Sequence, residues 1–215
     1  MQSQALVPHQ PLFPTFGAAN STMGVEKDVS VLFVDIANYT ALAESTSNHE
    51  VAHILNAYFS IAGYIIKSKQ GTIIDYYGDG FLAVFGLEED ENHSGKMLCA
   101  GITLQTAVLE FERELNRALG HSFQVRMGGN TGPVLWSTIG IEGMQKQAAI
   151  GDTVNFARRV EEANKTLNTQ FLISESIYNK FDMCSPSDSY NIIAKGKKGV
   201  HKVYAMDQYL THRDN

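Results

Sequence analysis

Two aspartates stand at the tips of hydrophobic, β-type runs. Asp35 ends Val31-Leu-Phe-Val-Asp35, and Asp79 sits in Gly78-Asp79-Gly80 between Thr72-Ile-Ile-Asp-Tyr-Tyr77 and Phe81-Leu-Ala-Val-Phe85. Carboxylates in the solvent-facing mouth of a sheet can hold Mg²⁺, which takes oxygen ligands and usually shares them with substrate phosphates. Two of them can hold a metal pair, and such pairs clamp the attacking and leaving oxygens of an in-line displacement at phosphorus. Read alone, Asp79 fits equally well the polar corner of a hairpin, where Asp and Gly are usual. Gly78 to Ala83 also fits a G-x-G-x-x-A pattern, but a dinucleotide fingerprint must open a helix. The short aromatic and branched run Phe81 to Phe85 reads as a strand and excludes it.

The elements that must carry these groups follow from periodicity. Val29 to Val34 reads as a buried central strand. The turn after Asp35, up to Thr40, could turn its amides toward phosphates. From Asn48, read as an N-cap, apolar residues recur at helical spacing to Gly71, and a second long helix runs from Met97 to Leu119, stopped at Gly120. Between them, Glu88 to Glu91 reads as a solvated acidic turn. Ser122 to Gly128 is a strand carrying Arg126, joined by a Gly-rich turn to a strand from Val134 to Ile139. Ile141 to Ala149 reads as a polar loop. A helix capped by Asp152 or Thr153 then places Asn155 and Arg159 on one face. In isolation Arg159 reads as an exposed salt-bridge partner of Glu161 or Glu162. A strand from Gln170 to Ser174, a short helix to Phe181 and a hairpin from Ile192 to Met206 close the chain, with Lys195, Lys197 and Lys198 on the hairpin turn.

With 215 residues, 44% hydrophobic and 19% charged, the chain suits one globular domain. We expect an irregular arm over 1–24, too short for a sensor domain, a domain over 25–206 and a tail over 207–215. The arm holds three of the five prolines and no charged side chain. A net charge of −6 without a basic run argues against nucleic acid as partner. Two cysteines, Cys99 and Cys184, make no metal spacing or disulfide framework, and Cys99 reads as core. No apolar run is long enough for a membrane span and no signal peptide opens the chain, so the expectation is a soluble cytoplasmic protein.

Four ordered blocks resemble the class III nucleotidyl cyclases: Leu-Phe-Val-Asp35-Ile-Ala-Asn-Tyr-Thr40, Tyr-Gly-Asp79, Gly151-Asp-Thr-Val-Asn155-Phe-Ala-Arg-Arg159 and Lys195-Gly-Lys197. The resemblance spans about Val29 to Met206. It implies an α+β, ferredoxin-like fold with a βααββαβ central sheet and helices on one face, and conversion of a nucleoside triphosphate to a 3′,5′-cyclic monophosphate and pyrophosphate. It further implies that Asp35 and Asp79, with the Ile36 carbonyl, bind two Mg²⁺ or Mn²⁺ ions. Asn155 would orient the ribose and Arg159 would stabilise charge on the α-phosphate. Arg126, Lys197 and the turn at Thr40 would hold the phosphates. The family's aspartates come from one subunit and its Asn/Arg helix and lysine turn from the other, so a head-to-tail homodimer is implied.

The base-reading positions depart from the adenylyl pattern of Lys and Asp, because Asp75 and Ala148 stand there. Guanylyl cyclases carry Glu and a small residue, which is chemically closer. A carboxylate accepts hydrogen bonds, so Asp75 favours a base edge with N–H donors, as in guanine, uracil or the cytosine amino group. A short Asp and a bulky Tyr77 point to a smaller base. The compact chain also resembles stand-alone pyrimidine cyclases of bacterial antiphage systems, which make cyclic UMP or cyclic CMP as alarm signals. The expected order is therefore UTP or CTP, then GTP, then ATP. Two other readings were weighed. A diguanylate cyclase is disfavoured by the broken Gly-Gly-Asp-Glu-Phe signature, and an inactive cyclase-like module by the retention of Asp35, Asp79, Asn155 and Arg159.

Overall fold

Strand β1 (Val25–Ile36) is buried on both sides because its apolar residues face two layers. Leu32, Val34 and Ile36 enter the larger core, whereas Val29, Val31 and Phe33 enter a second one on the opposite face. Strict alternation along the strand produces that division. A computed structural model describes residues 24–207, apart from residue 89, residues 182–187 and residues 195, 197 and 198. Most of the expected arm and tail, Cys184 and the turn lysines, Lys197 among them, lie outside the described residues.

The remaining elements are α1 (Tyr39–Ser45), α2 (Asn48–Ser68), β2 (Gly71–Tyr77), β3 (Gly80–Phe85), α3 (His93–Leu119), β4 (Val125–Ile139), β5 (Lys146–Ile150), α4 (Asp152–Leu167), β6 (Phe171–Ser174), α5 (Glu175–Tyr178), β7 (Ser189–Ile192) and β8 (His201–Ala205). The first seven run βααββαβ, as expected. The sheet order is β2-β3-β1-β4-β6-β8-β7, with β5 pairing the far half of β4. Helices α1, α2 and α3 pack on one face of the sheet through Leu42, Ile54, Tyr58, Met97 and Leu104. Helix α4 covers the other face through Ala157, Phe156 and Val160. Among the described residues no helix is long and apolar enough to cross a membrane.

Five local expectations are corrected. The α2 cap is Ser47, one residue earlier than Asn48, because Ser47 and Glu50 close a reciprocal capping box. Helix α4 starts after Gly151 without a side-chain cap, and the Thr153 hydroxyl donates instead to the Pro133 carbonyl, 2.7 Å away. The Gly-rich turn between two short strands does not exist, since β4 runs unbroken through Gly128 and Gly129. A Cβ on Gly128 would lie 2.1 Å from the Glu161 nitrogen, so glycine is needed there for helix–strand contact rather than for a turn. Part of the polar loop is β5, which pairs Ala148 with Ser137. Cys99 is exposed rather than core, because its helical position faces away from the sheet.

Beneath α3 lies a small buried polar cluster. The Ser30 hydroxyl is 2.9 Å from His93 Nδ1 and 2.9 Å from the Ser94 hydroxyl, and it donates to Thr131 Oγ1 at 3.1 Å. Burial and the nearby Lys180 ammonium lower the His93 pKa from 6.5, against the pull of Asp28 and Asp90. A group that protonates more readily unfolded than folded stabilises the fold above its unfolded pKa and loses that contribution as pH falls. Urea midpoints of wild type and His93→Gln are therefore expected to converge between pH 7.5 and 5.5. A gap that stays constant would show that His93 does not titrate differently in the two states.

Candidate active site

The β1–β3 pairing brings the end of β1 beside the β2–β3 turn, and so brings Asp35 to Asp79. Gly80 permits the approach, since a Cβ there would lie 2.5 Å from the Val34 carbonyl. The two carboxyl groups lie close enough to shift each other's proton affinity, and the Ile36 backbone favours the charged form of Asp79. Burial raises both pKa values. At Asp79 the charge of Asp35 adds to it, whereas at Asp35 the Arg126 guanidinium opposes it. Two half-buried acids, both raised by burial and one of them also by its neighbour's charge, form a site that gains from a cation.

These groups open into a cavity of about 480 Å³ lined also by Ile36, Thr40, Arg126 and Lys165. Among the described residues no cluster of three or more acid, His or Cys ligands is present. Two carboxylates with open neighbouring space suit Mg²⁺ or Mn²⁺, which complete their shells with water and phosphate oxygens, better than a closed protein cage. The residues present fit the implied metal pair.

Arg126 lies directly across from Asp35 in the β1–β4 register. Its Nη2 is 3.7 Å from Asp35 Oδ2 and its Nε is 3.5 Å from Glu161 Oε1. Burial, then the charge of Asp35, pushes the Glu161 pKa up to about 7. Sequence reading gave Glu161 only as a salt-bridge candidate for Arg159. The actual partner of Arg159 is Glu162, at 2.6 Å, and Asn155 is exposed. Neither Asn155 nor Arg159 lines the cavity of the aspartates.

The positions expected to read the base, Asp75 and Ala148, are joined by an unforeseen neighbour. Asp75 Oδ2 is 2.8 Å from Lys146 Nζ, two residues before Ala148 on the same face of β5. Alternation along β5 marks Lys146 as a candidate, but the polar composition of the segment reads as loop. Tyr77 is fixed: its hydroxyl donates to the Val34 and Phe81 carbonyls at 3.0 and 3.1 Å, and its ring packs 5.7 Å from that of Phe33. Tyr76 turns to the opposite face against Phe59.

Fold and site together are those of a class III nucleotidyl cyclase domain. The chain belongs to the adenylate and guanylate cyclase catalytic domain family, whose model matches residues 22–211. An adenylate cyclase of Anabaena cylindrica is 31% identical over 185 residues, 84% of this chain but 36% of its own length. The chain thus spans about a third of that relative. The guanylyl cyclase Cya2 superposes with a TM-score of 0.78 at 26% identity, covering 85% of this chain and 93% of that one. The adenylyl cyclase CyaB from P. aeruginosa gives 0.74 at 25% identity, over 84% and 94%.

Proposed function

We propose that the domain is a lyase that cyclises a purine ribonucleoside triphosphate, GTP before ATP, in the cytoplasm, as a head-to-tail homodimer. The observation that carries this reading is the Asp35–Asp79 pair at an open cavity beside Arg126. The 3′-hydroxyl oxygen bonds to the α-phosphorus, the bond to the β-phosphate oxygen breaks, pyrophosphate leaves, and the hydroxyl proton is lost to solvent. Asp35, Asp79 and the Ile36 carbonyl would hold a divalent ion pair, which would supply acidification of that hydroxyl and charge neutralisation of the phosphates. Arg126 and the turn at Thr40 grip the phosphate tail, and Lys197 closes on it from the second copy. That copy also supplies Asn155 to the ribose and Arg159 to the charge that grows on the α-phosphate.

A second copy is supported by the position of Asn155 and Arg159 outside the cavity that holds their own chain's acids. It is supported too by the β4–β5 hairpin, where Ile141 and Met144 are 71% and 77% exposed near Leu135, Ile139 and Ile150. For the base, Asp75 held by Lys146 presents an acceptor suited to the N1–H and amino group of guanine. The pyrimidine preference rests on a short Asp75 and a narrowing Tyr77, and the antiphage role on the compact chain's resemblance to stand-alone pyrimidine cyclases. The relatives described above are named for adenylate or guanylate chemistry, and the Tyr77 hydroxyl is already committed to two backbone carbonyls. Incubating purified protein with each of the four ribonucleoside triphosphates and Mn²⁺ is expected to give cyclic GMP as the main product by mass. Cyclic UMP or cyclic CMP would restore the pyrimidine reading, and no product from any of the four would remove the cyclase reading.

A further inference from the structure

We infer that Glu161 is a positioning residue that holds the Arg126 guanidinium at the phosphate end of the site once Asp35 is given over to cations. This deepens the proposed function and rests on it. The backbone places Glu161 with little freedom. Residues 126 and 128 point to the same face of β4, and α4 presses its Glu161 nitrogen onto Gly128 so closely that no Cβ would fit. From there the Glu161 carboxylate reaches Arg126 Nε at 3.5 Å, with the Arg126 and Glu161 side chains only 18% and 9% exposed.

The electrostatics give that contact a task. In the chain as described, Arg126 lies between two carboxylates, Asp35 and Glu161. Only Asp35 is shared with the cavity of the aspartate pair. Divalent cations at Asp35 cancel its attraction for the guanidinium and repel it, and at short range with little water such repulsion is weakly screened. Glu161 is then the counter-charge that keeps Arg126 at hand for a triphosphate. Without it, Arg126 would swing from the cations toward solvent, and the phosphate tail would lose its grip. The simpler alternative is a helix–strand ion pair that contributes only to folding.

Binding of the non-cyclisable analogue α,β-methylene-GTP to the full chain, measured calorimetrically with Mn²⁺ at pH 8, where Glu161 is ionised, separates the two. Glu161→Gln keeps the shape and removes the charge, and it is expected to weaken the analogue about thirtyfold, the lower end of what losing one partner of a buried charge pair costs. GMP, which lacks the tail, should bind as it does to wild type. In an Arg126→Ala background the same Glu161→Gln change should cost nothing further, because residues acting through one another are not additive. Unchanged analogue affinity in Glu161→Gln, or an undiminished loss in the Arg126→Ala background, would overturn the inference. Should Glu161→Gln not fold, Glu161→Asp keeps the charge but withdraws it, and an analogue affinity equal to wild type would overturn the inference in the same way. Wild-type protein that binds no analogue would instead defeat the nucleotide reading itself.

Discussion

Replacing Asp79 by Ala is expected to reduce cyclisation by about 10³-fold or more, the several kcal/mol that a metal ion contributes to a phosphoryl-transfer transition state, without destabilising the metal-free protein. The second half of that expectation follows from the direction of the pKa shifts. Asp35 and Asp79 are both raised, first by burial, with the charge of Asp35 adding at Asp79. An acid whose folded pKa exceeds its unfolded one favours the fold below the unfolded pKa and loses that contribution as pH rises through the folded value. At neutral pH the pair is therefore a liability of the empty fold. Removing one member should leave the unfolding midpoint level or higher, as is common where a site is built at the expense of stability. The divalent ion reverses the balance by mass action, since it binds the folded state. Millimolar Mn²⁺ should raise the wild-type midpoint and leave that of Asp79→Ala where it was. A variant that turns over normally, or that still responds to Mn²⁺, would show that the aspartates do not hold the ions.

Much of this arrangement could be read from the chain, and the reasons are local. β1 declared itself by a continuous apolar run, α2 and α3 by helical spacing, and Asp35 and Asp79 by standing where hydrophobic runs stop. Such signals depend on each segment's own neighbours in sequence. What escaped depends on contacts between distant segments. Gly128 reads as the end of a strand before a turn until α4 is laid on it, at which point its missing side chain becomes a packing requirement. Glu161 reads as one acid among several on an exposed helix, yet it is buried against Arg126, from a strand far away in the chain. Lys146 sits in a segment too polar to announce a strand, because β5 is an outlying strand that only β4 pairs and much of it is solvated. Cys99 shows the reverse error, an apolar residue type on the outer side of a helix whose inner side was already filled.

Helix α4 has two unlike faces. Glu161, Ala157 and Val160 face the sheet of their own chain, while Asn155 is exposed and Arg159, half-exposed, is paired among the described residues with Glu162 on the same helix. If Asn155 and Arg159 complete the site of another copy, damage to the acids and damage to the arginine must complement each other. Asp35→Ala and Arg159→Ala are each expected to be near background alone, since a two-fold dimer of either has the same defect in both sites.

Co-refolded at equal concentrations with random pairing, half of the dimers are mixed. In each mixed dimer one site carries both lesions and the other carries none. Activity should therefore return to about a quarter of wild type, half the dimers times half their sites. The recovered fraction should fall on dilution below the dimer dissociation constant, while pairing two Asp35→Ala chains recovers nothing. A mixture that stays at background, or an Arg159→Ala chain fully active alone, would mean that each chain closes its own site, and Asn155 and Arg159 would then have to reach the cavity of their own aspartates by a movement of α4 that its packing on Gly128 opposes.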